Sequence, residues 1–151
     1  MNETEQDRQI VLTRHLAATP AQVWRAWTDP ALLPQWFGPD GFRCQTKALD
    51  LRPGGDWFFD MIGPDGTVWP NHHHFTRWVP MTRLEFTLGS GAADEVPIDV
   101  VIDLTPEDAG TRITQRMTLP TKAARDGARA FGAEAMGMTT LAKLEAMAAG
   151  L

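Results

Sequence analysis

Three consecutive histidines, His72, His73 and His74, are the residues of this chain whose type and spacing most invite chemistry. On a strand, His72 and His74 point to one face and His73 to the other, so at most two of them share a site. A His-x-His pair begins a zinc or copper site, but a third ligand is needed and no spacing identifies it. Asp60 and Glu85 are the neighbours to consider. The triplet admits three readings: a metal pair at His72 and His74, a solvated cluster without metal, or a His73 or His74 that lines a cavity as a hydrogen-bonding or acid-base group. Nothing in the pattern requires a cofactor.

Glu134 is the second candidate. It lies three residues after Phe131 and four before Met138, near the apolar stripe of a helix. A carboxylate facing a dry interior has its pKa pushed up, as a general acid or base requires. The alternative is a boundary glutamate that reaches solvent or pairs with Arg77 or Arg116. Asp60, His74 and Glu134 together are the acid-base candidates for an enzyme of cyclase, dehydratase or hydrolase type. Other chemistries lack support. Ser90 sits in a Gly-rich loop without a nucleophile elbow. Cys44 has no base beside it in sequence and reads as a small buried hydrophobe. Pro53-Gly54-Gly55 lacks the lysine and the spacing of a phosphate loop.

These side chains must be held by elements that the patterning places. Gln9 to Leu16 has the β-branched and apolar character of a strand. Thr19 caps a short helix with Pro20 at its first position and Gln22 reaching back. Asp29-Pro30 repeats that signal and opens a second short helix through Trp36, closed by Gly38-Pro39. Segments of strand length follow at 42–49, 56–62, 68–79, 83–88, 97–104 and 111–119, separated by turn chemistry such as Gly63-Pro64-Asp65-Gly66. From Thr121 the period is helical: Phe131, Met138, Leu141, Leu144 and Ala148 form a stripe that should lie across a concave sheet face. Gly127, Gly132 and Gly137 each cost about 1 kcal/mol inside a helix. Close approach to the sheet, room for a ligand, or a later helix start near Gly132 would account for them.

The totals bound the function. A chain of 151 residues fits one domain, read as 9–151, after a disordered or loosely ordered lead-in over 1–8. Fourteen Lys plus Arg against nineteen Asp plus Glu give a net charge of −5, and no basic run serves a nucleic acid. No apolar run approaches a membrane span. A lone cysteine and a polar N-terminus point to the cytoplasm. Six Trp and seven Phe with no Tyr make a flat, apolar interior, and tryptophans left exposed would suit a homodimer face.

The element order, together with VWRAWTDPALLPQWFGP from Val23, resembles the SRPBCC superfamily. PGGDWFFDMIGPDGT from Pro53, VPMTRLEFT from Val79, GTRITQRMTLP from Gly110 and FGAEAMGMTTLAKL from Phe131 extend the resemblance over nearly the whole chain. More specifically, the chain is similar to the family named for the C-terminal domain of the activator of the heat-shock-protein-90 ATPase. The resemblance implies an α+β helix-grip fold, START-like and birch-pollen-allergen-like. In it, a curved antiparallel sheet of six or seven strands surrounds one long C-terminal helix. Similar members include cochaperones, lipid carriers and polyketide cyclases, so it implies three functions: a carrier of a hydrophobic or amphipathic small molecule, an enzyme using the same cavity, or a chaperone regulator. Similar sequences often carry Gly-Trp where this chain has Gly137-Met138, and a thioether there would reshape the cavity. The residues expected around that cavity are Trp57, Phe59, Met61, His73, Phe75, Leu84, Phe86, Met117, Phe131, Glu134, Met138 and Leu141.

Overall fold

The computed structural model describes residues 4–151. The expected loose lead-in falls outside the described residues at positions 1–3, and within 4–8 a 3-10 turn forms over Gln6–Arg8. Seven strands make one antiparallel sheet: β1 (Gln9–Leu16), β2 (Arg43–Leu49), β3 (Asp56–Ile62), β4 (Val68–Val79), β5 (Arg83–Gly89), β6 (Ile98–Glu107) and β7 (Gly110–Thr118). Their spatial order is β1-β7-β6-β5-β4-β3-β2, so β1 and β2 are the two edges. Two helices follow β1, α1 (Pro20–Thr28) and α2 (Leu33–Trp36), and two close the chain, α3 (Lys122–Ala130) and α4 (Ala133–Ala149).

α1 begins as its sequence dictates. The Gln22 amide N–H donates to Thr19 Oγ1 at 3.2 Å, and the Thr19 N–H donates to Gln22 Oε1 at 2.8 Å. This reciprocal cap satisfies two otherwise orphaned donors. α2 starts later than Asp29-Pro30 suggests, because Asp29 Oδ1 accepts from the Ala31 N–H at 2.9 Å and spends its capping capacity on a tight turn.

Alternation along the strands sorts side chains to two faces. Ile10, Leu12 and Leu16 of β1, Trp57 and Phe59 of β3, Leu84 and Phe86 of β5, and Val100, Ile102 and Leu104 of β6 are buried on the helix-covered face. α4 closes that face with Leu141, Leu144 and Ala148. Glu145 fastens it to β1, accepting from Arg14 at 2.8 Å and from the Ala17 N–H at 2.7 Å. No helix among the described residues is long and apolar enough to cross a membrane.

The C-terminal helix is interrupted. Gly132 adopts φ +94°, a left-handed conformation that ends α3 and restarts the helix as α4. The break turns Phe131 outward, where 71% of its surface is exposed, so the stripe expected to begin at Phe131 begins inside α4 instead. The other two glycines differ. A Cβ on Gly137 would lie 2.4 Å from Leu12 Cδ1, which places the α4 backbone directly against β1. A Cβ on Gly127 would meet nothing within 4 Å, and nothing in the structure explains that glycine. The β6–β7 hairpin is also tighter than its sequence implies. The strands pair through Glu107 and Gly110, leaving a two-residue turn of Asp108 and Ala109, both at positive φ.

Gly127→Ala is therefore expected to raise stability by about 1 kcal/mol through helix propensity, while Gly137→Ala gains nothing or loses stability because its methyl displaces Leu12. Thermal unfolding of the two variants checks this, and equal gains would contradict the close approach.

Candidate functional site

The strand period divides the histidines as expected. His73 faces inward, in register with Trp57 of β3 and Leu88 of β5, while His72 and His74 face out. On the outer face both imidazoles converge on one residue, Asp56, the first residue of β3. His72 Nε2 lies 2.8 Å and His74 Nδ1 2.9 Å from Asp56 Oδ1. Hydrogen bonding from His72, and secondarily from His74, holds the Asp56 carboxyl below the usual aspartate range. The His72 ring stacks on Phe58, centroids 4.1 Å apart and planes 5° from parallel. The third partner of the pair is thus Asp56, not Asp60 or Glu85. Asp60 is engaged by Lys47 at 3.0 Å, and Glu85 lies 3.7 Å from Arg77 and from Arg83. Among the described residues no group of three or more His, Cys, Asp and Glu is arranged to hold a metal ion.

His73 has no exposed surface and sits in a box of rings. Phe86 stacks on it at 4.6 Å, and Phe37, Trp57 and Phe59 meet it edge-on at 4.9, 5.2 and 5.2 Å. Both of its ring nitrogens lack a hydrogen-bond partner. Leaving such groups unpaired costs about 1–3 kcal/mol. Burial pushes the imidazole pKa down to about 3, so the ring is neutral at physiological pH.

The rings around His73 belong to a larger block. Trp57 and Phe59 stack at 3.7 Å, and Trp27 meets Trp36 at 4.8 Å. Trp57, Phe59, Phe75, Leu84, Phe86 and Leu141, all expected to line a cavity, are buried in the hydrophobic core cluster and line neither of the two apolar clefts beside Trp69. Met117 and Met138 are half-buried against it. Glu134 does not turn inward at all: on the exposed first turn of α4 it pairs with Arg129 at 3.1 Å, and not with Arg77 or Arg116. Asp60 pairs with Lys47, His74 with Asp56 and Glu134 with Arg129, so the acid-base candidates do not meet. Cys44, read as a small buried hydrophobe, is half-buried; desolvation pushes its thiol up to about 12, and its S–H donates to the Phe37 carbonyl at 3.2 Å.

Two apolar clefts meet at the mouth of the fold, beside the C-terminal helices. A cleft of about 220 Å³ is lined by Pro39, Phe42, Met61, Trp69, Asn71, Phe131 and Met136. Past Trp69 and Asn71 a second cleft of about 450 Å³ runs along Leu88, Val96, Ile98, Leu119, Pro120 and Ala124. Met61 and Phe131 are the expected cavity residues that reach it. Trp69 and Asn71 were legible in principle, since they share the phase of His73 and Phe75 on β4. Met136 and Pro39 carry no such signal.

A family model, described as activator of Hsp90 ATPase homolog 1-like protein, matches residues 17–149. The chain belongs to this family. A crystal structure of a Nitrosomonas europaea protein is similar at 30% identity and TM-score 0.82, covering 95% of this chain and 96% of that one. A Rhodobacter sphaeroides protein is similar at 27% identity and TM-score 0.82, covering 96% and 94%. An Arthrobacter aurescens protein, 22% identical with TM-score 0.84 and covering 99% and 91%, shares the fold. No curated protein matches the chain significantly. Membership of the activator of Hsp90 ATPase homolog 1-like family accounts for the helix-grip architecture and suggests a ligand-binding domain.

The buried imidazole has a measurable consequence. Its folded pKa lies below the unfolded 6.5, so the unfolded chain binds the proton first and stability falls as pH drops below about 6.5. From pH 6.5 to 4.5, above the range where most carboxylates titrate, this group should cost the wild type about 2 kcal/mol. Urea unfolding of His73→Phe should show that slope removed. An unchanged slope would mean that His73 is solvated.

Proposed function

We propose that this protein is a binding module that takes a hydrophobic or amphipathic small molecule into the paired clefts at the mouth of the fold. The observation that carries the reading is the concentration of apolar side chains left open there. Trp69 is 50%, Val96 66% and Phe131 71% exposed, and together they edge two contiguous clefts in which Asn71 is the shared polar side chain. Large apolar groups grouped around a concavity mark a ligand or partner site more often than chance. Their combined size suits an elongated molecule with a small polar group. The unpaired Cys44 accords with a cytosolic setting.

The enzymatic reading has less support, because Asp60, His74 and Glu134 are separated and none lines either cleft. The family name brings a chaperone-regulating reading as well, and no feature of the clefts favours it.

The neutral fluorescent amine N-phenyl-1-naphthylamine should bind the wild type at micromolar concentration. Trp69→Ala and Phe131→Ala should each weaken it at least tenfold, about 1.4 kcal/mol. A fluorescence titration decides; binding untouched by both substitutions, or no binding at all, would reject this site.

A further inference from the structure

The unpartnered imidazole of His73 stands directly behind the first cleft. Along β4 the inward side chains run Trp69, Asn71, His73, and along β3 they are faced in register by Met61, Phe59 and Trp57. Trp69, Asn71 and Met61 line the cleft. His73 is the next inward position after Asn71, and a two-residue step on a strand covers about 7 Å. The one ring of the box that no strand holds is Phe37, whose centroid is 4.9 Å from that of His73, 5.5 Å from Trp57 and 6.0 Å from Phe59, and which also meets Trp36 at 5.6 Å and Trp27 at 6.1 Å.

Phe37 differs from the other rings of the box. Trp57, Phe59 and Phe86 are fixed in the sheet, whereas Phe37 follows the four-residue helix α2 and is only half-buried. The segment it opens supplies Pro39 and Phe42 to the cleft wall. Swinging this one side chain aside would uncover the imidazole without breaking a strand. A neutral imidazole offers one N–H donor and one acceptor nitrogen, and here both are fully buried and unused.

We propose that the Phe37 ring is a displaceable plug, and that His73 is the polar anchor for a small, flat, uncharged ligand carrying a hydroxyl or carbonyl group. This rests on the cleft being a binding site. The walls are aromatic faces, so a planar ring replaces Phe37 at least loss of contact. A hydroxyl can accept from the imidazole N–H or donate to its free nitrogen, and a carbonyl can accept. A carboxylate or ammonium group would enter a box without a counter-charge, since Asp56, His72 and His74 lie on the opposite face of the sheet.

Phenol and toluene test the anchor, being alike in shape and different in the hydroxyl. They are titrated into wild type, Phe37→Ala, Phe37→Leu and the Phe37→Ala/His73→Phe double variant, following the Trp57 indole N–H by NMR. N-phenyl-1-naphthylamine serves as a parallel probe of the outer cleft. Phe37→Ala should bind phenol at least tenfold more tightly than wild type and at least fivefold more tightly than toluene, although toluene is the more apolar. In the double variant toluene should bind as tightly as phenol or more so. Phe37→Leu should show the same preference in weaker form, and decides the matter if the alanine variant does not fold. Phenol bound no better than toluene, or no better than by wild type, overturns the anchor. If the naphthylamine still binds the wild type, the cleft reading survives that failure; if it does not, the cleft reading fails by itself.

Discussion

The packing of aromatic rings around a desolvated imidazole determines where this protein can do anything. Trp57, Phe59, Phe86 and Phe37 surround His73 at ring distances of 4.6–5.2 Å, with Trp27 and Trp36 continuing the block toward α1 and α2. Flat rings in edge-on and stacked contact fill space efficiently. Ring contacts thus occupy the centre between sheet and helices, and two apolar clefts lie where the ring block ends, beside Met61, Trp69 and the break before α4.

That break is the second constraint. A helix running unbroken from Thr121 would have carried Phe131 onto the sheet. Gly132 in the left-handed region separates α3 from α4 and leaves Phe131 at the surface facing Trp69 across the cleft. One backbone conformation thus converts a core position into a rim. On the other side of the sheet the same period that buries His73 gathers His72 and His74 on Asp56, a solvated arrangement that lines neither of the two apolar clefts.

Much of the architecture was legible in the residues. The capping box at Thr19 and Gln22, the strand breaks at Gly63-Pro64-Asp65-Gly66 and Pro80, and the apolar period of Leu141, Leu144 and Ala148 depend on local stereochemistry, which a sequence carries directly. The division of the three histidines followed from strand period alone. The site was harder to read because it depends on volume. Whether Trp57, Phe59 and Phe86 enclose a space or fill one is decided by how their rings tilt and by whether Phe37, distant in sequence, turns in among them. Glu134 keeps its spacing to Met138 within α4 but lies on that helix's exposed first turn, where it pairs with Arg129, the solvent-facing alternative that its boundary position allowed. Asp56 escaped notice because its role comes from cross-strand register, which pairs it with His74.

The protonation of His73 reads this account out most directly. In a ¹⁵N-labelled sample the His73 ring should remain neutral and unshifted from pH 7.5 to 4.5. A His73 imidazole that titrates near 6.5 would show that water reaches it, and the solid aromatic centre on which the placement of the clefts depends would be contradicted.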